Sequence, residues 1–217
     1  LNICLTDVEN FKDEQIEEKK YPTKTLNVYN WGQYISDGSE GTLDVNAAFE
    51  EYYKETFGQD VKVNYTTYAS NEDMYAKLRS GSTGYDIVIP SEYMIQRMID
   101  EGMLEKLNFD NIPNMANVLD NLLDPTYDPG NLHSIPYMWG TLGILYNTEM
   151  VDGEITSWSA LFDEKNAGKV IMMNSMRDTI GLGLKYLGYS VNTTDEDQIR
   201  GDLRGCDQYR RLCVPGL

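Results

Sequence analysis

The sequence predicts an α/β fold with a central, mainly parallel sheet and helices on both faces. Strand-like and helix-like segments alternate from residue 25 to residue 100, and alternation at this spacing is typical of parallel strands joined by helices. A stretch broken by Pro and Gly then leads into a second α/β pattern, which indicates a boundary between two lobes.

Each element of the first region has its own signal. An alternating apolar strand runs through Leu26 and Val28, and two more strands are predicted over 61–65 and 85–89. Apolar residues recur at helical spacing between these strands, and Gly58 marks the end of the first helix. The predicted helices are residues 43–57, 70–78 and 91–100.

Prolines and Gly130 interrupt residues 108–134, and we place the lobe boundary just after them. The predicted parts are a leader over 1–23, a first lobe over 24–137 and a second lobe over 138–217. Within the second lobe we predict strands at 141–147 and 169–173, helices at 157–162 and 175–187, and a helical start from 195.

The leader carries acidic and lysine clusters and no apolar core of a signal peptide. We expect it to be solvated and mobile, either because a signal was removed or because the start is missing. Cys4 follows the bulky Ile3, which does not suit lipoprotein processing, so we expect an ordinary free thiol. No apolar run approaches the ~20 residues of a membrane span.

The chain is strongly acidic, with 35 Asp and Glu against 18 Lys and Arg, a net charge of −17. A nucleic acid partner is not expected, because a phosphate backbone requires a basic face. The charge has two interpretations: a solubilising surface, or attraction of a positively charged solute. The 16 Tyr residues suit the second, since aromatic faces attract cations.

Metal, cofactor and nucleophile chemistry have no sequence signal. Cys4, Cys206 and Cys213 lack CxxC spacing, and His133 is the single histidine. Glycine-rich nucleotide loops are also missing from the sequence. We therefore expect no metal, no cofactor and no enzymatic activity. A disulfide between Cys206 and Cys213 is conceivable outside the cytoplasm, but their surroundings do not favour it.

Polar and aromatic side chains follow the first and third strands. Trp31, Gln33 and Tyr34 come just after the first, and Ser91 and Tyr93 come after the third. Because ligands of open α/β sheets bind beyond the carboxyl ends of the strands, these residues are placed to line one crevice.

Five separated segments carry a more specific signal. They are NVYNWGQY (27–34), YTTYASNEDMYAKL (65–78), YDIVIPSEY (85–93), SIPYMWG (134–140) and GYSVNTTD (188–195). In this order they resemble the spermidine/putrescine-binding proteins of polyamine ABC importers, over about residues 24–199. The resemblance implies a periplasmic-binding-protein-like (type II) fold, with the ligand in the cleft between two lobes.

The resemblance also implies a set of ligand contacts. Trp31, Tyr34 and Tyr93 would offer aromatic faces, Ser91 a hydroxyl group, and Asp178 on the second lobe a carboxylate for an amine. A polyamine is a methylene chain with ammonium groups, so aromatic faces and anionic acceptors match its chemistry.

The sequence departs from the family pattern in two ways. Gln33 and Ser175 are neutral where some members have carboxylates, so the preferred polyamine is left open. Family members continue well beyond residue 217, and residues 201–217 look like a ragged end. We therefore expect an incomplete second lobe, truncated at its C-terminus.

Five of the site residues also have a structural interpretation that needs no ligand. Ser91 opens a helix and is a candidate N-cap. Ser175 and Asp178 have the spacing of a capping box. Trp31 and Tyr34 could pack against a neighbouring loop. For Gln33, a role as hydrogen-bond acceptor is retained.

The expected function is polyamine capture by a monomeric, periplasmic or extracellular protein that delivers putrescine or spermidine to the membrane permease of an ABC importer. Two alternatives stay open: a truncated fragment that does not bind, or a protein of the same fold that binds another small organic cation.

Overall fold

Five strands form one sheet, with the order β3-β2-β4-β1-β5. The strands are β1 (Asn2–Leu5), β2 (Thr25–Trp31), β3 (Lys62–Tyr68), β4 (Ile87–Val88) and β5 (Ser134–Pro136). β2 runs parallel to β3 and to β4, whereas β1 is antiparallel to both β4 and β5. Four strands therefore run in one direction and β1 alone runs against them, so the sheet is mixed, with the mainly parallel strand direction that was predicted.

The computed structural model describes residues 2–5, 25–81, 84–173 and 175–201. The chain divides into two compact units, Leu1–Gly140 and Thr141–Leu217. The lobe boundary after residue 137 stays a prediction. Cys206 and Cys213 lie outside the described residues, and so does most of the leader, residues 6–24.

The start of the leader differs from the prediction. Asn2–Leu5 is not solvated chain but a strand paired on both sides, and Cys4 is fully buried. Asn2 explains part of this, because its side chain donates to Ser134 Oγ at 3.1 Å and to Tyr127 Oη at 2.8 Å. A strand of four residues is too short for its periodicity to be recognised beside a long charged segment.

The α-helices follow the prediction closely. Among the described residues they include α1 (Val45–Phe57), α2 (Asn71–Arg79), α3 (Glu92–Asp100) and α4 (Met176–Tyr186), and residues 196–201 are also helical, in agreement with the helical start predicted from 195. Asp44 caps α1 by accepting from the Ala47 N–H at 3.0 Å, and Gly58 ends this helix at φ 65°, a conformation that favours glycine. Ser70 caps α2 by accepting from the Asp73 N–H at 3.1 Å.

β4 is shorter than the predicted strand over 85–89. Asp86 N donates to Asn27 O at 2.9 Å and Ile89 N to Tyr29 O at 3.2 Å, so backbone bonding to β2 extends past both ends of β4. The Asp86 carboxylate takes the Asn27 N–H at 2.7 Å, a bond that a backbone carbonyl would accept in a regular ladder.

Tyrosines fill much of the core between the sheet and the helices α2 and α3. Tyr29 stacks on Tyr85 with centroids 4.3 Å apart and meets Tyr68 edge-on at 4.9 Å. Methionines and Ile95 of α3 complete this core. The high tyrosine content is thus partly structural and is not by itself a sign of a cation site.

Short 3₁₀ turns replace regular structure over the Pro-rich stretch and much of the second unit. In the Pro-rich stretch they are Phe109–Asn111, Pro113–Asn117, Asp120–Leu122 and Pro129–Asn131, and in the second unit Trp158–Phe162 and Glu164–Asn166. A further 3₁₀ turn, Ser39–Gly41, follows β2. No helix among the described residues is long and apolar enough to cross a membrane.

The two strands predicted for the second unit are wrong. Residues 141–147 form no strand, and Leu145 is fully exposed; in 169–173 a single β-bridge at the buried Val170 takes the place of a strand. A strand requires a neighbour for its backbone hydrogen bonds, and the described part of this unit offers neither segment a partner strand. The second unit instead packs through α4, whose Tyr186 ring lies 4.2 Å from the ring of Phe162, measured between centroids.

Candidate functional site

Trp31 ends β2 at the edge of the sheet where β3 and β4 also end. We call this edge, marked by Trp31, Tyr68 and Ile89, the carboxyl edge. Trp31 Nε1 donates to the Ile89 carbonyl oxygen at 3.1 Å, and the indole lies 4.8 Å from the Tyr68 ring. Tyr68 donates its hydroxyl to the same carbonyl at 2.6 Å. Two side-chain donors therefore converge on one backbone oxygen.

The turn after β2 carries Gln33 and Tyr34, both exposed. The Tyr34 ring lies edge-on to Trp31 with centroids 6.4 Å apart. The hydroxyl of Tyr137 donates to the backbone carbonyl of Tyr34. Tyrosine is protonated at neutral pH with its ordinary pKa, and burial raises the pKa of Tyr137 further. This bond holds the turn while the Tyr34 ring stays accessible.

Ser91 and Tyr93 join the same edge from the start of α3. Asn71 Nδ2 lies 3.0 Å from Ser91 Oγ and 2.9 Å from Tyr93 Oη, and Tyr93 Oη lies 3.1 Å from Glu72 Oε1. Ser91 occupies the N-cap position of α3 but makes no capping bond with its side chain. The N-cap interpretation of its hydroxyl is therefore wrong, because that hydroxyl is bonded to Asn71.

The structure thus brings five of the predicted residues to the carboxyl edge or the turn that follows it: Trp31, Gln33, Tyr34, Ser91 and Tyr93. It adds four residues that the sequence analysis missed, namely Tyr68, Asn71, Glu72 and Tyr137. The sequence carries a signal for three of them, Tyr68, Asn71 and Glu72. The predicted β3 is parallel to β2, so residues at its end or just past it belong to the same edge.

Chemically, this edge combines aromatic faces with oxygen acceptors. A cation over an aromatic face gains about 0.5–2 kcal/mol, and hydrogen bonds to charged groups contribute roughly 1.5–3 kcal/mol. The indole of Trp31, the ring of Tyr34 and the carboxylate of Glu72 supply both kinds of contact. The arrangement suits a small organic cation.

Ser175 and Asp178 lie in the second unit, at the start of α4. Ser175 Oγ accepts from the backbone N–H of Asp178 at 3.4 Å, which supports a capping role for Ser175. That bond uses the backbone of Asp178 and not its carboxylate. The role of both residues toward a ligand stays a prediction.

His133 lies in a separate buried network. The Asp128 carboxylate accepts from Ser134 Oγ at 2.7 Å and lies 3.2 Å from His133 Nδ1. The carboxylate therefore stands between the histidine and the serine, whereas a histidine-activated nucleophile needs the imidazole in that position. In the described ranges, no cluster of His, Cys, Asp and Glu could hold a metal ion.

Comparison with known proteins places these features in a family. The family model for bacterial extracellular solute-binding proteins matches residues 47–212. The spermidine/putrescine-binding periplasmic protein of Escherichia coli is 38% identical over 177 residues, which cover 81% of this chain and 47% of the relative. The putrescine-binding periplasmic protein SpuD of Pseudomonas aeruginosa is 35% identical over 190 residues, with coverages of 82% and 48%. This chain spans about half the length of these curated relatives.

Solved structures of solute-binding proteins also resemble this chain. The TpPotD lipoprotein of Treponema pallidum has a TM-score of 0.72 and 32% identity, and the spermidine/putrescine ABC transporter substrate-binding protein PotD of Streptococcus pneumoniae has 0.65 and 37%. Each match covers 88% of this chain and 56% of the other protein. The α/β solute-binding fold predicted from the sequence is confirmed, and the chain belongs to the family of bacterial extracellular solute-binding proteins.

Proposed function

We propose that this chain serves as the solute-binding component of a polyamine ABC importer and captures putrescine or spermidine. The observation that carries the proposal is the carboxyl edge, where Trp31 and Tyr34 follow β2 and the hydrogen-bonded pair of Tyr93 and Glu72 follows the ends of β4 and β3. Relatives named as spermidine/putrescine-binding or putrescine-binding proteins support this choice of ligand.

In this proposal the methylene chain lies along the aromatic rings and an ammonium group meets the hydroxyl and carboxylate oxygens. Tyr93 and Glu72 are already hydrogen-bonded to each other, so the acceptors are set in place before the ligand arrives. Asp178 of α4 is proposed as a further ligand-binding residue, through its carboxylate. Gln33 and Ser175 contribute neutral acceptors, so fewer negative charges face the ligand than in members with carboxylates there.

The proposed setting follows the same relatives. We propose that the protein is a monomer in the periplasm or outside the cell and passes the ligand to a membrane permease. A relative named periplasmic supports the location, and a solved structure named as an ABC transporter substrate-binding protein supports the role beside a permease. We propose no enzymatic step, no cofactor and no nucleic acid partner. The network around His133 is consistent with this, because its carboxylate separates the histidine from Ser134.

A second candidate is that the 217 residues of this chain do not bind a polyamine by themselves. Several large apolar side chains of the second unit are exposed, among them Leu145, Met150 at 68% and Ile171 at 67%. Exposed apolar surface of this kind favours association with other protein surfaces. Such a chain would associate or be degraded without capturing a ligand.

Isothermal titration distinguishes the two candidates. The folded 217-residue chain is titrated with putrescine, with spermidine and with butanediol, which keeps the methylene chain but lacks the charges. Saturable heat with the amines and none with butanediol supports the proposed function. If a cooperatively folded sample gives no binding heat, the second candidate is favoured. If the full-length product of the gene gives no binding heat either, the polyamine assignment is overturned.

A further inference from the structure

Asn71, the first residue of α2, is buried with 4% of its surface exposed. Its Oδ1 accepts from the backbone N–H of Ser91 at 3.1 Å. Because a backbone N–H can only donate, this bond fixes the orientation of the side-chain amide. Nδ2 must then face the hydroxyl oxygens of Ser91 and Tyr93, at 3.0 and 2.9 Å.

The direction of each hydrogen bond follows from this orientation. The two N–H groups of Asn71 Nδ2 are both donated, one to each hydroxyl oxygen. Tyr93 Oη accepts in its bond to Asn71, and its own proton is donated to Glu72 Oε1 at 3.1 Å. A directed chain therefore runs from the buried amide through Tyr93 to an exposed carboxylate.

We propose that Asn71 is a positioning residue of the ligand site, which orients the hydroxyl groups of Ser91 and Tyr93 for an ammonium group of the ligand. The inference rests on the proposed function. An ammonium group has donors only and requires oxygen lone pairs. Because Asn71 presents N–H groups, both hydroxyl oxygens act as acceptors toward it, and each keeps a second lone pair for the ligand. The shared amide nitrogen also fixes the distance between the two oxygens.

All three hydrogen bonds of Asn71 go to residues predicted to bind the ligand, Ser91 and Tyr93. A buried asparagine with a purely structural role has no reason to bond only to residues predicted to bind the ligand. Asn131 is an example: it is 3% exposed, accepts from Asp124 N at 2.8 Å and donates to Ser134 O at 3.3 Å. It contacts no predicted ligand residue through these bonds and is therefore a matched control.

The test compares Asn71→Ala with Asn131→Ala in thermal unfolding and in titration with putrescine. We expect both variants to lose stability, and Asn131→Ala to lose at least as much, because Asn131 has φ 53° and alanine is strained there. Only Asn71→Ala is expected to weaken binding, by about tenfold, as the loss of one to two hydrogen bonds implies.

A double-mutant cycle separates positioning from general destabilisation. In a Ser91→Ala/Tyr93→Phe background, Asn71 has no hydroxyl to orient, so Asn71→Ala should change the dissociation constant by about twofold or less. The same tenfold loss in both backgrounds overturns the inference, and so does unchanged affinity in Asn71→Ala alone.

Hydrogen exchange of the Ser91 amide provides a readout without ligand. Asn71→Ala removes its acceptor, so this amide should exchange faster while the amides of α2 beyond its first turn keep their protection. Unchanged exchange overturns the inference. If Asn71→Ala shows this faster exchange but the wild-type chain binds no amine, the proposed function is overturned instead, so the two failures are distinguishable.

Discussion

The indole N–H of Trp31 donates to the carbonyl oxygen of Ile89 at 3.1 Å. The two residues are far apart in sequence and lie at the ends of neighbouring parallel strands. The bond fixes the plane of the indole at the carboxyl edge, and contact with Tyr68 supports one face. A ring that is held in this way can receive a cation without first losing conformational freedom.

Replacing Trp31 tests whether the held ring binds the ligand. Trp31→Ala removes the aromatic face, and we expect putrescine to bind about 2- to 30-fold more weakly, the equivalent of a cation–π contact of 0.5–2 kcal/mol. Trp31→Phe keeps a ring but loses the bond to Ile89, so its affinity should lie between those of Trp31→Ala and the wild type. Calorimetric titration measures both.

The control for this substitution is Trp158→Ala in the second unit. Trp158 is half-buried in a 3₁₀ turn, and we expect its loss to lower the melting temperature with little effect on affinity. Equal losses of affinity in Trp31→Ala and Trp158→Ala would mean that both act through stability, and would remove Trp31 from the site.

The charge of Glu72 is the second test. Glu72→Gln keeps an oxygen that can accept from Tyr93 but loses the negative charge. Because Glu72 is exposed, we expect a modest weakening of putrescine binding, about two- to fivefold at 0.01 M salt, where the Debye length is about 30 Å, and almost none at 1 M, where it is about 3 Å.

Glu55→Gln makes the same charge change at an exposed position of α1 and controls for net charge. If both variants weaken binding equally, the effect of Glu72 is the general field of an acidic protein and not a local contact.

The sequence predicted the first unit well because its signals are local. Gly58 at positive φ and the cap formed by Ser70 each act within a few residues. Strands of the second unit were predicted wrongly because a strand depends on a partner that a local pattern cannot supply. β1 was missed for the related reason that its pairing partners lie far along the chain.

The structure places Trp31 and Tyr34 at the carboxyl edge, where the sequence predicted them, and their role toward a ligand stays a prediction. Aromatic residues at strand ends are visible in a sequence, and Trp31 and Tyr34 were found in that way. Asn71 and Tyr137 were not found, because each acts through a hydrogen bond to a residue distant in sequence. Such bonds are set by tertiary structure, and the local pattern of a sequence does not reveal them.

The pKa of Glu101 yields a prediction about pH. Tyr75 donates to Glu101 Oε2 at 2.6 Å and Arg97 to Oε1 at 3.0 Å, and these bonds hold the pKa of Glu101 below its ordinary value. A carboxyl whose pKa is lowered on folding stabilises the protein above its unfolded pKa of about 4.3, and this contribution is lost as the pH falls through the folded value.

Tyr75→Phe removes the larger cause of the lowered pKa. The difference in free energy of unfolding between wild type and variant should therefore be greatest near neutral pH and become smaller below about pH 4. Urea unfolding at several pH values measures it, with Tyr52→Phe, an exposed tyrosine of α1, as the control. A difference that does not change with pH would show that Glu101 is not the linked group.

The last test concerns the carboxylate of Asp178. The capping bond of α4 joins Ser175 Oγ to the backbone N–H of residue 178, so Asp178→Asn leaves the cap intact and removes only the charge. We expect this variant to keep its melting temperature to within a few degrees and to bind putrescine about tenfold more weakly, since a hydrogen bond to a charged group contributes roughly 1.5–3 kcal/mol. Ser175→Ala is the complementary change, because it removes the cap and should cost about 0.5–2 kcal/mol of stability. If Asp178→Asn instead lowers stability as much as Ser175→Ala and leaves the affinity unchanged, Asp178 is a helix-terminus residue and the second amine of the ligand meets another acceptor.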